Sequence, residues 1–175
     1  MRQFAAKGFR LASSNSDLKL TYALFLSFTF FGLVTLAALS LGRVGFSPEA
    51  IATYYRGSDS ELKLPKEFWQ LMEVSHFHLF SEPTVILILT HLAFAAGLVR
   101  RGRIALTLGA YGGSALEIGG PWLVRYVAAW CAYLLLAGWL LLLASAAILF
   151  VVSLLAILGK SGGEPGPMPA SEPTP

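Results

Sequence analysis

The stretch E-V-S-H-F-H-L-F-S-E-P-T-V-I-L-I-L-T-H, residues 73–91, holds every histidine of the chain, His76, His78 and His91. It begins polar, with the carboxylates of Glu73 and Glu82, and passes at Pro83 into an apolar run that stays uncharged to Val99. Crossing a hydrocarbon core takes about 20 residues of helix, so the run is marginal alone and sufficient once Leu79 and Phe80 are added. A polar segment leading straight into a spanning helix is the pattern of a membrane protein with its ionisable groups gathered near one face.

The rest of the chain agrees. Apolar residues make up 55% of it and charged residues 13%, and further uncharged runs are long enough to span. The composition predicts an all-α integral membrane four-helix bundle with a small extracytoplasmic cap between helices 1 and 2. The formal charge of +3 comes from basic residues at helix ends, which points to orientation in a lipid bilayer and away from nucleic acid. A single cysteine, Cys131, excludes an internal disulfide and a cysteine-based metal cage.

Working outward, residues 1–19 carry Arg2, Lys7, Arg10 and Lys19 against Asp17 and read as a flexible basic cytoplasmic tail, with Ser16 as N-cap of the helix that follows. The first span is expected over 20–41. Ala38-Leu39-Ser40 resembles a cleavage site, but the apolar run exceeds a signal peptide's 7–15 residues, which favours an uncleaved first helix. The cap, 43–78, belongs to a slightly acidic segment. In it Ser47-Pro48 opens a short helix, Gly57 ends it, and Pro65 opens a second helix with Phe68, Leu71, Met72, Ser75 and Leu79 on one face.

The later spans are expected over 79–99, 104–120 and 127–157. Pro83 either starts a fresh helix or kinks a continuous one. Arg100, Arg101 and Arg103 close span two, Gly112-Gly113 suits close helix packing, and Gly119-Gly120-Pro121 signals a turn before the interfacial anchors Trp122, Arg125 and Tyr126. Residues 160–175 are Gly-, Pro- and Ser-rich and read as a disordered tail. The basic N-terminal segment and the Arg100–Arg103 cluster fall on one side. The positive-inside rule therefore puts both termini in the cytoplasm, the cap outside, and the protein in the cell's inner membrane.

Ionisable groups at membrane depth are costly and therefore candidates for function. His91, halfway along span two, suits a haem iron, a quinone oxygen or a proton relay, or else a plain hydrogen bond to Thr35, Ser114 or a backbone carbonyl. His78 and His91 are spaced like paired haem ligands, but 13 residues of continuous helix separate them by about 20 Å. A haem b would then need a homodimer, a partner subunit, a single axial ligand, or a break near Ser81-Pro83 that folds His76 or His78 back. A transition metal is the other cofactor the residues suit. Its candidate ligands are Glu73, His76, His78, Glu82 and, from span three, Glu117. On a helix Glu73 and His76 share a face at i,i+3, and His78 and Glu82 at i,i+4. Glu117 either joins that cluster or, as favoured here, pairs with Arg125.

The segment E-x-x-H-x-H-L-F followed by proline and an apolar helix, with Y-Y-R-G at 54–57 upstream, resembles uncharacterised bacterial four-helix inner-membrane proteins. In general architecture the chain is similar to small b-type cytochrome subunits, which would imply haem and electron transfer. The leading expectation is thus a membrane subunit that binds haem or a metal and exchanges electrons with a membrane or extracytoplasmic redox protein. A non-redox accessory or anchor subunit with structural histidines is the second reading, and a metal or ion transport protein the third. No nucleophile, base and orienting acid can be grouped for hydrolytic catalysis.

Overall fold

A computed structural model describes residues 11–159. Four long helices and one short one account for most of them: α1 Ser16–Leu39, α2 Pro48–Arg56, α3 Phe68–Ala95, α4 Arg100–Tyr126 and α5 Ala132–Leu158. Three segments are long and apolar enough to cross a membrane: Ser16–Val44, Phe68–Ala95 and Ala129–Leu158. The fourth long helix, α4, carries three arginines in its first turn together with Glu117 and Arg125.

The ends follow local chemistry. Asn15, and not Ser16, caps α1, its side chain accepting from the Leu18 N–H at 3.1 Å. Ser47 caps α2 through the Ala50 N–H at 3.1 Å, Pro48 sits in the first turn, and Gly57 ends the helix at φ +83°, as the sequence implies. A Cβ at Gly57 would stand 2.7 Å from the Lys63 carbonyl, so only glycine fits this return.

Several boundaries differ from the sequence reading. The second cap helix and span two are one helix, α3, which runs through Pro83 unbroken. It starts at Phe68, where Gln70 Oε1 accepts from the Glu67 N–H at 3.0 Å. Pro83 removes one donor, a loss that a helix held between neighbours absorbs. Likewise α4 begins at Arg100 and passes through Gly119-Gly120-Pro121 to Tyr126. The expected turn there is absent because Gly120 lies against Leu135 of α5, where a Cβ would meet Leu135 Cβ at 2.9 Å. The break comes instead at Val127 and Ala128, followed by a 3-10 turn, Ala129–Cys131. Before α1, Leu11 is fully buried in the cluster that contains Ile157 of α5, so the part of the basic tail that is described is folded onto the bundle. Residues 1–10 of that tail and the tail 160–175 lie outside the described residues.

Helix packing is tightest between α4 and α5. Gly113 sits on the Leu142 backbone, where a Cβ would come within 2.5 Å of the amide nitrogen, and Gly138 faces Leu116 in the same way. Small residues let two backbones approach in lipid, where the hydrophobic effect does not drive helices together. α3 lies against both α4 and α5, whereas α1 touches mainly α5 and keeps only Leu26 and Thr29 buried. One end of the bundle carries Leu11, the α3–α4 turn and the end of α5. The opposite end carries α2, whose Ile51 is buried with Val124, Cys131, Ala132 and Leu135.

Candidate functional site

Two helices make the site. His78 and Glu82 lie one turn apart on α3 and face α4, which runs antiparallel and brings Ser114 and Glu117 to the same level. Register is fixed nearer the cap, where Trp122 Nε1–H donates to Ser75 Oγ at 2.7 Å. There too Arg125 Nε–H donates to the Lys66 carbonyl at 2.9 Å and Arg56 reaches the Val124 carbonyl at 3.0 Å.

His78 Nδ1 is 2.5 Å from Glu82 Oε1 and 3.2 Å from Glu117 Oε2. The other oxygen of Glu82, Oε2, accepts from Ser114 Oγ–H at 2.5 Å. The side chains are 25%, 13% and 11% exposed for His78, Glu82 and Glu117. One ligand atom from each lies within 4.8 Å of the others. With both carboxylates ionised the group carries two negative charges beside a neutral imidazole and one beside a protonated one, so neutrality requires a further proton on a carboxylate or a bound cation. A deeply placed group of this kind is expensive unless that charge is compensated.

Two spaces meet at the triad. On the cap side a pocket of about 260 Å³ is walled by Tyr54, Tyr55, Lys66, Gln70 and Glu73 and reaches His78 and Glu117. On the other side an apolar groove of about 600 Å³ runs between α1, α3 and α5 and touches His78 and Glu82. In the cap pocket, Lys66 Nζ stands 4.3 Å above the Tyr54 ring. Burial, then neighbouring Tyr54 and the Glu117 carboxyl, push the Tyr55 phenol well above its ordinary value, so it stays a neutral hydroxyl. Toward the arginine end the bundle closes over Ile86, Leu89, Leu92, Ala93, Ala110 and Leu142, all buried.

Of the six candidates read from the sequence, three come together: His78, Glu82 and Glu117. Glu117 turns to His78, and the expected pairing with Arg125 is not made because the Arg125 guanidinium is held at the Lys66 carbonyl and 5.1 Å over the Tyr126 ring. Glu73 is exposed at the mouth of the cap pocket. His76 is exposed and meets Phe80 edge-on at 5.2 Å. His91 is exposed too, its Nδ1 held 2.8 Å from the Leu87 carbonyl of its own helix. Of the three partners expected for it, the backbone carbonyl is met, though on its own helix and not between helices, while Thr35 and Ser114 bond Phe31 O and Glu82. Because α3 is continuous, His76 and His78 do not fold back toward His91. Ser114 as a partner of Glu82, and Tyr55 as a wall of the pocket, were not visible in the sequence. The only trace of the first is its place three residues before Glu117, on one face of α4.

An imidazole nitrogen and two carboxylate oxygens converge here from two helices, and donors of these types would suit zinc, manganese or iron. Neither curated proteins nor solved structures gave a match to the chain, and no likeness to cytochromes emerged. A protein-family profile described as a transmembrane helical domain does match, over residues 45–164, a span holding α2 to α5 and the whole triad. That match takes in well over half of the chain, which therefore belongs to this family of transmembrane helical domains.

Proposed function

We propose that this chain is a membrane subunit of an electron-transfer system and holds one transition-metal ion at His78, Glu82 and Glu117. The supporting observation is the convergence of three ligand atoms within 4.8 Å at the inner end of a polar pocket. A resident ion fits this arrangement better than a permeating one. The polar approach to the site comes from the cap, the groove on its other side is apolar, and toward the arginine end buried apolar side chains pack together. Glu73, Lys66 and Gln70 at the mouth give an electron partner a polar surface close to the metal.

In this reading α4 is a fourth crossing. Its 27 residues extend about 40 Å beside α3 and α5, and its charges sit in its end turns or face the triad. The bundle lies in the cell's inner membrane with Arg100, Arg101 and Arg103 in the cytoplasm and α2 outside, by the positive-inside rule. Both termini are then cytoplasmic.

Elemental analysis of protein extracted in mild detergent tests the proposal. About one transition-metal ion per chain is expected in the wild type and none in the Glu82→Gln, Glu117→Gln double variant. Wild-type protein free of metal after growth in metal-supplemented medium would leave an accessory or anchor role as the better account.

A further inference from the structure

The apolar groove of about 600 Å³ between α1, α3 and α5 is walled by Leu36, Leu89 and Leu142 among others, and reaches the triad at His78 and Glu82. Four of the side chains that line it carry oxygen: Thr29, Thr35, Ser81 and Glu82. None of the four has a hydrogen to offer. The three hydroxyls donate to carbonyls of their own helices, Thr29 to Phe25 at 2.9 Å, Thr35 to Phe31 at 2.8 Å and Ser81 to Phe77 at 2.9 Å. Glu82, as a carboxylate, only accepts. These oxygens are lone pairs in an apolar setting, and what satisfies them is a ligand that donates.

Depth and charge narrow the choice. Ser81 and Glu82 lie about 20 Å along α3 from its start at Phe68, and the whole helix is about 42 Å long, so the acceptors stand near the middle of the span. A phospholipid keeps its headgroup outside the hydrocarbon core, far from this level. A fatty-acid carboxylate would meet the carboxylates of Glu82 and Glu117, which lie beside His78. The fitting ligand has a small, neutral, donating head on an apolar tail. From Glu82 to Leu89 the groove follows α3 for about 10 Å, which gives the tail its course.

We propose that this groove binds a lipid-soluble hydroquinone, a ring hydroxyl donating to Glu82 beside Ser81 and the apolar tail lying between α1, α3 and α5. The groove and its acceptors select a donating head; the choice of hydroquinone among such heads rests on the electron-transfer reading of the triad. As electron source it gives two electrons, singly, to a redox-active ion such as iron or manganese held there, which passes each to its partner, and it releases its two hydroxyl protons to water. The product is a quinone. Its oxygens only accept, so it finds no hydroxyl donor in the groove and leaves.

The test is binding of decylubiquinol to the full chain in lipid nanodiscs, as the excess over empty nanodiscs, with metal content measured on the same sample. About one decylubiquinol per chain is expected, and binding of the oxidised decylubiquinone at least about 10-fold weaker. Gly32 lines the groove, and a Cβ added there has nothing within 4 Å, so Gly32→Phe should fill the groove without a clash. It should lose the hydroquinone and keep the metal. No excess of decylubiquinol, equal binding of the two redox forms, binding kept in Gly32→Phe, or displacement by an equal amount of the isoprenoid alcohol geranylgeraniol would each overturn the proposal. A metal-free wild type that still binds decylubiquinol selectively would support the groove and remove the metal centre, whereas metal without decylubiquinol would do the reverse.

Discussion

Ser114 holds the triad in shape without being one of its ligands. Its hydroxyl fixes one oxygen of Glu82, which leaves the other to face His78. Partners of ligands typically contribute 10–100-fold to metal affinity. Ser114→Ala is therefore expected to weaken metal binding by about that factor with the fold retained, as read by competition with a chelator. Unchanged affinity would mean that Glu82 orients itself. The same level shows how much of the site was legible. His78 and Glu82 fall on one face at i,i+4 by helical geometry alone, so their meeting could be read from spacing. Glu117 was ambiguous because its partner depends on where Arg125 goes. That in turn depends on the Lys66 carbonyl, left free by the extended chain before α3, a tertiary fact with no local signal. His91 could be placed along its helix from the sequence but not on a face of it, because the run from Pro83 to Val99 carries no charge to mark one side.

Among the elements, α4 and α5 form the part with least freedom. At Gly113 an added Cβ would stand 2.5 Å from Leu142 N and 2.8 Å from Leu142 Cα, and backbone cannot move aside cheaply. Gly112, its neighbour, has nothing within 4 Å of the same added atom. Gly113→Ala should cost about 1–3 kcal/mol. Gly112→Ala should gain about 0.5–1 kcal/mol, the helical advantage of alanine over glycine. Melting of the two variants in detergent checks the opposite signs, and equal shifts would contradict the close α4–α5 contact. The glycine pair was recognisable as a packing signal, but which of the two makes the contact was not. Gly119-Gly120-Pro121 shows the converse. A strong turn signal was overridden because Gly120 is needed against Leu135 and a helix held by its neighbours tolerates the proline. The short α2 was readable at both ends, since Ser47, Pro48 and Gly57 each act locally.

For the whole molecule, the alternation of long apolar helices was plain in the sequence, and the cap end was recognisable from its charges. What could not be read was that α3 extends from the cap to the arginine end as one rod, so that the same helix supplies the triad on its inner face and His76 and His91 on its outer one. If the bundle has four crossings, the loop after α2 and the arginine turn lie on opposite sides. A cysteine at Ser60 should then react with an impermeant maleimide in intact cells, and one at Gly102 only after the membrane is opened, with the buried Cys131 replaced by alanine in both. Labelling of both positions from outside would remove a crossing and with it the proposed topology.

The measurement that decides the account is the metal content of the purified wild-type chain beside the Glu82→Gln, Glu117→Gln variant, taken on samples of equal helix content. About one ion per chain in the first and none in the second is the predicted result. The same metal in both, or none in either after growth with metal supplied, would contradict a metal centre at His78, Glu82 and Glu117.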